Sequence, residues 1–283
     1  MTDTRHIAPP QGLRFSPDWI TRPLFGILLA ALVVAADFGG PQYLAIFLAV
    51  GAIFAVREWH RMIWPQSYAF EMALSAVTII VALLVMTLWP RSASAWALLG
   101  AGAVLASVVA LMRGEDPAWQ AGGILYIGIP ALAMIAARAL PAHGAWLIVG
   151  LFLIVWATDT GALVAGNLIG GPKLVPVLSP NKTWAGTLGG VAAAAVIEAV
   201  YVGSLGGNAI LASVYGAGLA VVAHAGDLFE SWVKRSFHRK DSGSLIPGHG
   251  GMLDRIDSML FAASALAVLV LVFGLDPLFG AHP

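Results

Sequence analysis

Residues 145–166 read AWLIVGLFLIVWATDTGALVAG, a run of helix-forming apolar residues whose single ionisable side chain is Asp159. A bilayer core of about 30 Å is crossed by roughly 20 such residues in a helix, so this stretch is long enough to span a membrane. Eight more stretches of the same kind lie around it, at 20–36, 42–56, 72–89, 93–112, 119–137, 186–205, 209–230 and 258–275, each bounded by Pro, Gly or charged residues. The first two are separated by Asp37-Phe38-Gly39-Gly40-Pro41, because Gly-Gly-Pro does not continue a helix. Composition agrees: 59% of the 283 residues are hydrophobic and 11% charged, against roughly 45–50% and about 25% in soluble domains. The expected fold is an all-α polytopic integral membrane protein of about nine transmembrane helices.

Fifteen Lys+Arg balance fifteen Asp+Glu, which excludes a basic nucleic-acid binder and leaves charge to act by position. There is no cysteine, so disulfides, thiolate metal sites and cysteine nucleophiles are excluded and any metal is left to oxygen or imidazole ligands. The polar segment 1–22, with Pro9, Pro10 and Pro17, lacks the order of a cleaved signal peptide and reads as a retained tail. Three regions follow: a cytoplasmic tail at 1–19, a membrane region of about five helices at 20–140, and a catalytic membrane region of about four helices at 141–283 with polar loops at 167–185 and 231–257.

The cations orient this arrangement. With the N-terminus inside, thirteen Lys and Arg residues face the cytoplasm and only Arg91 and Arg138 fall outside, as the positive-inside rule requires. An odd number of spans then puts the C-terminus outside and both polar loops on the cytoplasmic side, where they can meet. Trp19, Trp59, Trp64, Trp89, Trp96, Trp119, Trp146, Trp184 and Trp232 fall near span ends and read as headgroup anchors. The Gly- and Ala-rich run 189–195 predicts close helix packing.

An ionisable residue inside a span costs at least about 2.5–3.5 kcal/mol on insertion scales. The first five spans carry almost none, so chemistry is expected in the second half. Asp159, Glu198, Asp227 and Glu230 are the survivors. Glu198 alone reads as a packing residue, and His224 as a packing or hydrogen-bonding one. Asp159 and Asp227 stand at helix ends beside the loops, as walls of a water-filled cavity would. Asp159, Ala162, Leu163 and Gly166 share one helix face, after which Gly170-Gly171-Pro172 breaks the helix. Lys173 and Ser179-Pro180-Asn181-Lys182-Thr183 follow, a set of donors ahead of a helix start that suits an anion or, equally, a positive-inside turn.

The second loop is more specific. In AGDLFESWVKRSFHRKDSGSLIPGHGGMLDRIDS, residues 225–258, Asp227, Glu230, Ser231 and Lys234 lie on one helix face. Arg235, Arg239 and Lys240 come next, then Pro247-Gly248-His249-Gly250-Gly251 as a turn, and Asp254 and Asp257 share the first turn of the last span beside Arg255. Asp241, Asp254 and Asp257 in a net basic loop suggest a hard cation such as Mg²⁺ bridging to phosphates. His249 is better suited to touching phosphate or orienting a neighbour, since Mg²⁺ prefers oxygen.

These residues resemble the phosphatidate cytidylyltransferases, or CDP-diacylglycerol synthases. The family's long C-terminal pattern stands complete from Ser231 to Asp257, and Asp159 with Gly161-Ala162, Lys173, Ser179-Pro180, Lys182-Thr183 and Gly226-Asp227 match upstream. Ala185 departs from it, at a position where relatives often carry Glu or Gln. The resemblance covers about 155–258 and implies that CTP and phosphatidic acid give CDP-diacylglycerol and pyrophosphate in the inner membrane, in a homodimer. It also implies that Asp227, Asp254 and Asp257 hold Mg²⁺, with Asp227 and Asp254 the preferred pair, and leaves room for a second metal or a monovalent ion. Lys173, Lys182, Lys234, Arg235, Lys240 and Arg255 are implied to neutralise phosphates, with Asp241 and His249 in the same catalytic set. Asp159, Asn167, Ser179, Thr183 and Ser231 are implied polar partners of the substrates. A polyprenol kinase, an ether-lipid cytidylyltransferase and a secondary transporter are the competing readings. A transporter is expected to show broken helices in both halves, and here the polar breaks all follow residue 150.

Overall fold

Each expected span corresponds to one long helix in the computed structural model, which describes residues 18–64, 68–140, 143–243, 250–273 and 276–279. In chain order these are α1 (Asp18–Gly39), α2 (Pro41–Ile63), α3 (Ala69–Leu88), α4 (Ser94–Arg113), α5 (Pro117–Arg138), α6 (Gly144–Ile169), α7 (Trp184–Ser204), α8 (Ala209–Ser236) and α9 (Leu253–Phe273), followed by the single turn α10 (Asp276–Phe279). Seven of them, α2 to α8, are long and apolar enough to cross a membrane. The apolar part of α1 is the shorter Leu28–Gly39, and α9 opens on Asp254, Arg255 and Asp257.

Local chemistry sets the breaks. Gly40 takes φ 125° between α1 and α2, and Pro41 opens α2 where its missing N–H costs nothing. The Asp116 carboxylate accepts from Ala118 N at 2.9 Å ahead of Pro117 to start α5. Asn208 caps α8 by accepting from Leu211 N at 3.0 Å. Two helices outrun their apolar cores: α2 continues past residue 56 to Ile63, and α8 past 230 to Ser236.

The polar loop expected between α6 and α7 contains a small hairpin. Strands β1 (Lys173–Val175) and β2 (Ser179–Thr183) pair antiparallel, with Lys173 opposite Thr183 and Val175 opposite Ser179.

Small residues let the second-half helices touch. A methyl group on Gly161 of α6 would come within 2.6 Å of the Ala193 Cβ on α7, and one on Gly216 of α8 within 2.8 Å of the Ala194 carbonyl. In lipid, such close packing is what holds helices together. The first half is bulkier, built on Leu44, Ile79, Leu83, Leu99, Ile124 and Leu132, all buried. Trp59 also belongs there. Only 2% exposed, it donates from Nε1 to the Trp119 carbonyl at 3.0 Å and packs on Trp119 and Tyr126, so it is a core residue and not a headgroup anchor. Trp89, Trp146, Trp184 and Trp232 are exposed.

The first half is also less apolar than expected, since Asp37, Glu58, His60, Glu71 and Gln120 are all buried. Arg138 Nε pairs with Asp37 at 2.9 Å, and Arg113 pairs with Glu71. Both pairs join helix ends that lie on one face if the helices alternate up and down, which agrees with that topology.

Candidate active site

The expected face of α6 faces a cavity. Asp159, Ala162, Leu163, Gly166 and Asn167 line one side of a space of about 620 Å³, Lys173, Lys182 and Thr183 of the hairpin line another, and His224 and Asp227 of α8 close it. The hairpin is held by Thr183, whose hydroxyl accepts from Gly186 N at 3.1 Å as the cap of α7. Its neighbour Lys182 forms an ion pair with Asp227. Thus the first polar loop meets the eighth helix, within the expected span 209–230, through oppositely charged side chains. Ser179 lies on the paired strand and Ser231 further along α8; neither is among the lining residues of this cavity.

Acids continue from the cavity into the crossing of α8 and α9. These helices touch at Gly226, where an added methyl would sit 2.7 Å from the Asp257 carbonyl and 2.8 Å from the Phe261 Cβ. That contact sets Asp227 beside Asp257. The Asp257 carboxylate interacts electrostatically with Asp227, Asp159 and Lys234, and Asp159 with Asp227, Lys182 and Arg255. Oδ1 of Asp257 accepts from Ser258 N at 2.6 Å. Asp159, Asp227 and Asp257 thus interact electrostatically with one another, with Lys182, Arg255 and Lys234 as the cations that act on them.

Asp254 is placed differently. Its Oδ1 accepts from Lys234 Nζ at 2.7 Å and its Oδ2 from Gly251 N at 2.9 Å. The Ser242 N–H reaches both oxygens, at 3.2 and 3.0 Å. Lys234 also pairs with Glu230 at 2.6 Å. Asp254 thus holds Lys234 and the neighbouring backbone, whereas Asp257 interacts electrostatically with Asp227. The resemblance favoured the pair Asp227 and Asp254; spacing could not choose between Asp254 and Asp257, because it does not register how many N–H groups the chain folds onto a carboxylate.

Among the described residues no group of three or more His, Asp or Glu side chains is arranged to hold a metal ion. The donor chemistry of Asp159, Asp227 and Asp257 nevertheless suits a hard divalent cation, which takes carboxylate oxygens, and their mutual repulsion is what such an ion relieves.

Of the remaining charged residues, Arg235, Lys240 and Asp241 are not among the lining residues of the main cavity. Arg235 is exposed and donates to the Arg239 carbonyl at 3.3 Å. Lys240 is exposed. Asp241 lines a second, polar cavity of about 190 Å³ with Arg61, Arg239 and Ser242. Arg255 is exposed, beside Asp159. His249 lies outside the described residues.

His224, read as a packing or hydrogen-bonding residue, hydrogen-bonds the Thr187 backbone and also lines the main cavity, where it interacts with Lys182 and Asp227. One residue near the start of α9 escaped the sequence reading. Glu58 of α2 is buried and accepts hydrogen bonds from Ser242 and Leu253. The signal available was a lone carboxylate between Arg57 and Arg61, just past the end of the apolar run at residue 56.

Comparison with known proteins identifies the family. A phosphatidate cytidylyltransferase of Brucella suis biovar 1 (strain 1330) is 38% identical over 261 residues, covering 89% of this chain and 93% of that protein. Phosphatidate cytidylyltransferases of Staphylococcus haemolyticus (strain JCSC1435) and Staphylococcus aureus (strain COL) are 32% and 31% identical, over 88% of this chain and 98% of each relative. The family model described as Cytidylyltransferase family matches residues 20–273, so that both the first-half helices and the acid-lined cavity lie within it, and the chain belongs to that family.

Proposed function

We propose that this protein transfers the cytidylyl group of CTP to phosphatidic acid, giving CDP-diacylglycerol and pyrophosphate. The observation that carries the reading is the cavity in which Asp159, Asn167, Lys173 and Lys182 meet Asp227, beside Asp257. It offers cations and carboxylates together at the mouths of membrane helices, where a nucleotide from water and a headgroup from lipid can meet.

An oxygen of the lipid phosphate monoester attacks the α-phosphorus of CTP. A new P–O bond forms, the bond to the β-phosphate bridging oxygen breaks, and pyrophosphate leaves with its electron pair. The attacking oxygen is already anionic, so no general base is required, and catalysis comes from positioning and charge neutralisation. Lys173 and Lys182 bind the triphosphate, and Lys182 exchanges its contact with Asp227 for phosphate oxygens. Arg255 approaches the same phosphates from the start of α9. Asn167 and Thr183 hydrogen-bond the nucleotide from the walls. Asp227 and Asp257, with Asp159, would hold Mg²⁺, which when bound supplies positive charge to the α-phosphate and the departing pyrophosphate. Lys234 and Asp254 act one layer back, holding the acid-bearing ends of α8 and α9 together.

The proposal includes nine spans, the N-terminus and cavity on the cytoplasmic side of the inner membrane, and the C-terminus outside, supported by the lysine and arginine distribution. A homodimer is supported by the family resemblance. The test is incubation of the purified protein with phosphatidic acid and CTP labelled at either the α- or the γ-phosphate, with and without Mg²⁺. Label from the α-phosphate alone is expected in the lipid, only with Mg²⁺. Label from the γ-phosphate indicates a kinase, and label from neither overturns the reading.

A further inference from the structure

We propose that Glu58, on a helix far from the cavity in sequence, is a positioning residue for the catalytic end of α9. The inference rests on the cytidylyl-transfer reading. The Glu58 side chain is 2% exposed, and its Oε2 accepts from Ser242 Oγ at 3.1 Å and from Leu253 N at 2.9 Å. Leu253 is the first residue of α9, so Glu58 satisfies one of the N–H groups that a helix start leaves without a partner, and puts negative charge at the positive end of the helix dipole.

Ser242 ties this anchor to the acids. Its hydroxyl donates to Glu58 while its N–H donates to both oxygens of Asp254. The polypeptide is shaped around the carboxylate on both sides of 244–249: a methyl on Gly243 would lie 2.6 Å from Glu58 Oε1, and one on Gly251 2.5 Å from Oε2. Any side chain at either glycine would collide with Glu58. One buried carboxylate of the first half therefore fixes where the last long helix begins, and with it the height of Asp257 against Asp227.

Two variants separate positioning from bulk. In Glu58→Gln the amide oxygen can occupy the Oε2 position and keep both hydrogen bonds, since Oε1 accepts none among the described residues. In Glu58→Leu the volume stays and both bonds go. Steady-state kinetics with CTP and phosphatidic acid, normalised to the folded fraction from size-exclusion chromatography, are expected to give at least a tenfold lower kcat for Glu58→Leu. KM for CTP should stay within threefold, and Glu58→Gln should stay within threefold of the parent in kcat. A Glu58→Leu protein with parental kcat per folded molecule overturns the inference, as does a Glu58→Gln protein that falls as far as Glu58→Leu. Should Glu58→Leu not fold, Ser242→Ala removes one hydrogen bond only; a severalfold fall in kcat at constant KM is expected, and an unchanged kcat refutes the role. A parent enzyme without cytidylyl transfer overturns the activity reading itself, whereas an active parent with indifferent variants overturns only the role of Glu58.

Discussion

The crossing of α8 and α9 allows a test that removes no charge. In Gly226→Ala the new methyl would stand 2.7 Å from the Asp257 carbonyl oxygen, about 0.7 Å inside the 3.4 Å of ordinary contact, with the Phe261 Cβ at 2.8 Å. Backbone and a Cβ cannot rotate away, so the helices must separate by about that amount. Overpacking of this kind costs about 1–3 kcal/mol, which leaves the protein folded. The larger effect is on chemistry, because a misplacement of about 1 Å at reacting groups can cost about 10²-fold. We expect kcat to fall between about tenfold and a hundredfold as the Asp227–Asp257 spacing opens. Transfer of α-labelled CMP to lipid by purified protein in detergent measures it. Gly218→Ala, on the same helix with nothing within 4 Å, is the control and should match the parent. A folded Gly226→Ala enzyme with kcat within twofold of the control would refute the claim that this contact sets the acid pair.

Other perturbations follow from the same geometry. Asp227→Asn should lower turnover by orders of magnitude with membrane insertion unchanged; near-normal CTP-dependent activity in membranes removes Asp227 from the site. Lys234→Met strands Glu230 and Asp254, whose side chains are 2% and 11% exposed, and breaking a buried ion pair costs about 3–5 kcal/mol, so the thermal midpoint should drop clearly; an unchanged midpoint sinks the cluster as a stabilising element. The absence of native cysteine gives a clean background for Arg57→Cys, Lys240→Cys and Arg91→Cys: an impermeant thiol reagent should reach the first two from one face and the third from the other, and labelling of all three from one side contradicts the alternating topology.

Much of this was readable from pattern. Apolar run length located every long helix, and the 3.6-residue period correctly put Asp159, Ala162, Leu163 and Gly166 on the cavity wall. What pattern missed has physical causes. The hairpin around Lys182 is short and polar, so it shows no alternation that would mark a strand. Glu58 and Glu71 were hidden because a charge flanking an apolar run reads as the end of a span, although the helix can continue and bury it. Asp254 and Asp257 are one turn apart and indistinguishable by spacing; their surroundings separate only when the Ser242 and Gly251 N–H groups fold onto one of them and the Gly226 contact brings α8 to the other. The first half was undervalued for a related reason, since Glu58 reaches the second half through hydrogen bonds that span 184 and 195 positions.

That last feature bears on biosynthesis. Glu58 and Leu253 are 195 positions apart, and at about 5–20 residues per second the ribosome needs roughly 10–40 s to travel between them. For that interval the nascent chain carries an ionisable group with its intended donors not yet made, held by water at the surface or by the translocation machinery. Competence to react arrives only with the final helix, so abortive translation products that stop before it carry no complete site.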